Sequence, residues 1–167
     1  MRRTTSIALA ALGGAISGLA CIVVALQIMA PTPLPDLTPS RFQSAWDHWE
    51  THGPVNYDIE VSVSGPQAAT YQVQVRNGQP VRASRNGYPL PRQRTIGTWS
   101  VPGMFNTIEI DLDNLISHTP TQPADTPRLV LHCHFDQKYG YPSRYRRIEI
   151  GSRMQVEWQV VALKIVN

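Results

Sequence analysis

Residues 135–147 read FDQKYGYPSRYRR, and they decide that the C-terminal half folds as an antiparallel sheet. Phe135 closes a run in which Leu129, Leu131, Cys133 and Phe135 alternate with Val130, His132, His134 and Asp136. That spacing predicts a strand with Leu129, Leu131, Cys133 and Phe135 on one face. Asp136 opens a turn, because a carboxylate there accepts from backbone N–H groups just ahead of it. Gly140 supplies the positive φ that closes a short hairpin loop. Pro142 has no N–H and forces Tyr141 extended, so it belongs at the start of a strand. Residues 144–150 then return as that strand.

Working outward, Gly151-Ser152 is a second turn, and residues 155–166 read as the last strand. It is apolar on both faces towards its end, which places it centrally or under cover. Upstream, Phe105, Ile108, Leu112, Leu115 and Ile116 have helical spacing, with Thr98 or Ser100 as the cap. Ile108, Ile110 and Leu112 also alternate, a competing strand signal, but the apolar face continues to Leu115 and Ile116. Residues 118–127, with Pro120, Pro123 and Pro127, form a loop.

The first half repeats this order of elements. Phe42, Ala45, Trp46 and Trp49 make one face of a helix, started by Thr38 or Ser40 with Pro39 in its first turn and ended at Gly53-Pro54. The two tryptophans belong to core packing rather than to a carbohydrate platform. Tyr57, Ile59, Val61 and Val63 form one strand, and Tyr71, Val73 and Val75 the next. Asn77-Gly78 is a type I′ hairpin signal leading to a short third strand over residues 79–84. Residues 85–97 read as a long polar loop. The expected fold is therefore α+β: an antiparallel sheet of about six strands in αβββαβββ order, with helices packed on one face.

The N-terminus carries a different signal. Arg2 and Arg3 precede residues 7–30, an apolar run of 24 residues without a charge. As a helix it spans roughly 36 Å, enough to cross a bilayer. The positive end stays in the cytoplasm. The expected organisation is a cytoplasmic stub (1–5), a membrane helix (6–30), a Pro-rich spacer (31–39, PTPLPDLTP in full) and an extracytoplasmic domain (40–167). The run exceeds a signal-peptide core, and Pro31 after Ala30 is a poor cleavage context, so an uncleaved signal anchor is expected. Lipidation at Cys21, within Leu19-Ala20-Cys21, and simple secretion are the alternatives.

Net charge is +3, but without Arg2 and Arg3 the chain holds 13 basic against 12 acidic side chains, so the basic balance does not point to nucleic acid. Arg76, Arg82, Arg85, Arg92 and Arg94 run without an acid between them, which reads as a solvated surface. The two cysteines, Cys21 and Cys133, do not make a disulfide scaffold, and Cys133 reads as a small buried hydrophobe.

Several short pieces together resemble a known family. They are Phe135-Asp136 with Tyr139-Gly140-Tyr141-Pro142 and the basic strand after it, Trp46 with Asn56-Tyr57, Val75-Arg76-Asn77-Gly78, and Thr98 leading to Phe105. The set resembles an uncharacterised family of bacterial secreted proteins and lipoproteins, catalogued as domain of unknown function 6174, over residues 41–161. The resemblance implies an envelope location and keeps lipidation of Cys21 in play. It implies no activity, cofactor or catalytic residue.

The residues themselves offer two pieces of chemistry. His132, His134 and Asp136 recur every second residue, a row of plausible Zn²⁺ ligands, against the plainer reading as polar-face residues. Arg144, Arg146 and Arg147, interleaved with Tyr141 and Tyr145, suit an anionic partner such as a lipid headgroup or cell-wall polymer. No Gly-x-Ser-x-Gly elbow, phosphate loop or HExxH motif occurs, and Cys133 faces away from both histidines. Asp111 and Asp113 read as solvated. The expectation is a non-catalytic, membrane-tethered module without a cofactor that binds an envelope protein or polymer. A metal-binding protein using His132, His134 and Asp136 is the alternative, and an enzyme stands behind both.

Overall fold

Tyr57, Ile59, Val61 and Val63 are all buried, while Asp58, Glu60, Ser62 and Ser64 between them are not. This alternation is the organising fact of the computed structural model, which describes residues 33–66, 68–91, 93–117, 128–151 and 155–166. The chain runs α1 (Pro39–His52), β1 (Tyr57–Ser64), β2 (Ala69–Arg76), β3 (Gln79–Arg85), β4 (Tyr88–Pro89), a single turn α2 (Gln93–Ile96), α3 (Val101–Ser117), β5 (Arg128–Phe135), β6 (Pro142–Ile150) and β7 (Gln155–Ile165). The expected membrane helix (6–30), Cys21 and the loop 118–127 lie outside the described residues. Among the described residues no helix is long and apolar enough to cross a membrane.

The strands form one seven-stranded antiparallel sheet in the order β4-β3-β2-β1-β7-β6-β5. Each half of the chain is a meander, and the halves meet where β1 pairs with β7. The last strand is therefore central; its alternation breaks where a bulge at Val161 shifts the pairing with β1, and Val161 is 58% exposed. The seventh strand, β4, was not expected from sequence. Asn86 and Gly87 sit at φ 50° and 81°, as Asn77 and Gly78 do at 51° and 72°. Both dipeptides make tight hairpin turns, and the second folds part of the expected loop back onto β3.

Both long helices join the inward sheet residues in one core. Thr38 caps α1 by accepting from the Arg41 N–H, Pro39 opens its first turn, and Gly53 ends it. Phe42, Ala45 and Trp49 are buried, and Trp46 meets Phe105 edge-on with ring centroids 4.8 Å apart. Ser100 caps α3, accepting from the Gly103 N–H. Phe105, Ile108 and Leu112 are buried, whereas Ile110 is 53% exposed, as a helix requires. Ile116, expected on the buried face, is instead 58% exposed, because the inward stripe has rotated past it by the last turn.

One expectation fails at the start of the domain. The spacer 31–39 does not stay clear of the fold through its whole length. Leu37 is buried, its N–H donates to Leu131 O at 2.9 Å, and Cys133 N–H donates to Pro35 O at 3.1 Å. Residues 35–37 thus lie along the outer edge of β5, with Asp36 opposite His132. An open strand edge offers unpaired backbone groups, and this strap covers part of it.

Candidate functional site

The β5–β6 turn is held from within and from the helix beside it. Asp136 Oδ1 accepts from the N–H groups of Lys138 (3.0 Å) and Tyr139 (2.7 Å). Gly140 donates to Asp136 O at 2.9 Å with φ 81°. A Cβ on Gly140 would stand 2.6 Å from Ala45 O and 3.1 Å from the His48 side chain, so only glycine lets the turn lie this close to α1. His48 Nε2 donates to Lys138 O at 3.0 Å from the helix side.

Between α1 and this turn lies a cleft of about 410 Å³, lined by Ser40, Arg41, Ser44, His48, Asp136 and Gln137 over a floor that includes Phe135 and Gly140. Arg41 is fixed in its wall by backbone carbonyls. Its Nη1 donates to Asp36 O, and its Nη2 donates to Cys133 O at 3.5 Å. Two bonds leave further guanidinium donors and the full charge unspent. Among the described residues Arg41 joins no ion pair. A second, aromatic concavity of about 380 Å³ lies between α1 and α3, lined by Phe42, Trp46, Pro102 and Phe105 with Gln43, Asn106 and Glu109.

The three residues expected as metal ligands do not converge on one point. His134 Nδ1 lies 2.9 Å from Ser143 Oγ, whose own proton goes to His134 O, so the imidazole is the donor. His132 Nδ1 is 3.1 Å from Asp36 Oδ1 but without hydrogen-bond alignment, and it is buried with no other partner. Asp136 has left the strand for the turn, where its carboxylate binds backbone N–H groups. Among the described residues no group of three or more His, Cys, Asp or Glu side chains is placed to hold a metal ion.

Strand geometry divides the arginine triplet. The register puts Arg144, Arg146, His132 and His134 on the outer face of the sheet, and Arg147 with Tyr145 on the helix side. Glu157 on β7 takes Arg144 Nε at 2.7 Å on one oxygen and Arg146 Nε at 3.1 Å on the other. Arg147 pairs with Glu149 at 2.7 Å and approaches Asp111 at 3.4 Å. The triplet thus serves internal carboxylates. Of the upstream arginines, Arg76 pairs with Asp58 at 2.7 Å and Arg85 stands over the Tyr71 ring.

No protein-family model and no curated protein matches the chain.

The burial of Asp111 and its bond to Tyr145 were not foreseen. Asp111 is buried at 6% exposure, its second oxygen accepting the Tyr145 hydroxyl at 2.7 Å. The helical stripe Ile108–Leu112–Leu115 passes through position 111, and that was the available signal. Burial first, then the neighbouring Asp111 carboxylate, pushes the Tyr145 hydroxyl far above the usual phenol range. Burial likewise pushes Tyr57 up to about 12, partly offset because its oxygen accepts from the Val101 N–H. The Cys133 thiol is pushed up by burial, so it is not poised as a nucleophile.

Proposed function

We propose that the chain is a non-catalytic extracytoplasmic binding module, tethered to a membrane by residues 6–30 with its C-terminal domain outside the cytoplasm, and that it belongs to the family its hairpin resembles. Support for the tether is the charge-free run behind Arg2 and Arg3. The observation that carries the binding reading is the state of Arg41. On the outer sheet face Arg76 pairs with Asp58, and Arg144 and Arg146 share the Glu157 carboxylate, whereas Arg41 is oriented by carbonyl oxygens at the wall of an open cleft. A guanidinium held in that way is prepared for an acidic group on an envelope protein or polymer, with Ser40, Ser44 and Gln137 at hand for hydrogen bonds.

A reporter fused after Asn167 tests the topology: activity outside the cytoplasm is expected, and a cytosolic reporter refutes the tether reading. For the site, wild-type and Arg41→Ala chains are used to capture partners from native membranes. A partner retained by the wild type and weakened at least roughly tenfold by Arg41→Ala is expected, since a charge-assisted pair contributes about 1.5–3 kcal/mol. Equal retention by both chains removes the cleft from the proposal.

A further inference from the structure

We infer that the outer edge of β5 is a strand-acceptor site, held in this structure by residues 35–37 of the chain itself and open to an extended peptide of like chemistry. The strap meets β5 as an antiparallel strand does: Leu37 N–H to Leu131 O, Cys133 N–H to Pro35 O, and Asp36 opposite His132. Leu37 fills an apolar position in the core cluster, and Arg41 bridges a strap carbonyl and a β5 carbonyl. The strap therefore specifies what the edge accepts: a carbonyl acceptor, then an acidic residue facing His132, then an N–H donor with a leucine-like side chain.

The strap is also a poor long-term occupant. Pro33 and Pro35 have no N–H, so the strap offers β5 no backbone donor in that direction. Thr38 enters α1, so the ladder cannot lengthen in the other. Yet β5 runs for 8 residues. At the centre of the contact, His132 Nδ1 is buried beside Asp36 without an aligned bond. A longer peptide, free of those prolines, makes more backbone bonds along the same edge, the general mode of strand addition.

The test uses the full chain in detergent micelles and a labelled peptide, Pro-Leu-Pro-Asp-Leu-Thr, copied from residues 33–38. Leu37→Ser weakens the strap and frees the edge. The peptide is expected to bind that variant roughly tenfold more tightly than wild type, in line with the burial of one leucine. Amide exchange at Cys133 is expected to speed up in the variant and slow again when peptide is added. Should Leu37→Ser not fold, Asp36→Ala, which trims an exposed side chain facing His132, carries the same comparison with a shift of about two- to threefold. Equal affinity for wild type and variant overturns the inference, as does binding that leaves the Cys133 amide unprotected. Dimerisation of the weakened variant in place of peptide binding also overturns it, assigning the edge to a second copy. None of these outcomes depends on which side of a membrane the domain occupies.

Discussion

At the scale of single residues, two positions hold more than their neighbours. Gly140 combines a positive φ with a backbone oxygen of α1 at 2.6 Å from where a Cβ would be. Gly140→Ala is expected to cost about 1–3 kcal/mol, read as a lower midpoint in urea unfolding followed by tryptophan fluorescence. The positive φ was legible in the run KYGYP; the closeness of α1 was not, because Ala45 lies far away in sequence. Asp111 is the second position. Asp111→Ala strands the Tyr145 hydroxyl and one side of Arg147, and a loss of about 3 kcal/mol is expected. A double-mutant cycle with Tyr145→Phe should be non-additive, and additivity would show that the 2.7 Å bond between them contributes nothing. Two aspartates on a helix look alike on paper. Helical spacing puts Asp111, and not Asp113, on the Ile108–Leu112–Leu115 stripe, and the strand opposite supplies the Tyr145 hydroxyl that makes its burial tolerable.

At the scale of elements, α3 is tied down at its first turn. Ser100 accepts from Gly103 N–H, and the buried Tyr57 hydroxyl oxygen accepts from Val101 N–H. Ser100→Ala should cost about 1 kcal/mol in thermal or urea unfolding. Tyr57 gives the fold an alkaline limit. Its folded pKa, about 12, lies above the ordinary phenol value of 10.0. The unfolded chain therefore loses that proton first, so stability is complete below pH 10.0 and falls as pH rises towards the folded value, by roughly 1.4 kcal/mol per unit for this group. Tyr145, raised in the same direction, adds to the fall. Unfolding midpoints between these pH values should drop steadily, and Tyr57→Phe should flatten the slope. Hairpins were the most legible elements. Asn77-Gly78 announced β2–β3, and Asn86-Gly87 carried the same signal for β4, masked by the prolines that follow it.

At the scale of the molecule, the sheet is one body because its final strand lies in the middle. β7 lies between β1 and β6, joining the two meanders. A chain ending at residue 154 should therefore show no cooperative unfolding transition by circular dichroism, whereas loss of an edge strand would be tolerated better. The outer face of the sheet is a lattice of paired charges centred on Glu157, whose carboxylate serves two arginines. Glu157→Gln should cost no more than about 1 kcal/mol, since both arginines are about a third exposed. It should also free Arg144 and Arg146 to bind anionic vesicles that the wild type binds more weakly, measured by co-sedimentation.

Amino-acid order alone determined what is local: the kind of each long element, the inward faces of β1, β2 and β5, two candidate caps for each long helix, and the charge-free run at the N-terminus. Those follow from side-chain periodicity and from turn residues that act within a few positions of one another. Tertiary structure decided what joins distant segments: β7 beside β1, Arg147 beside Asp111, Asp136 withdrawn from the histidine row, and the strap laid on β5. These contacts bring together residues far apart in the chain, and they exist only once the apolar faces have chosen one another in the core.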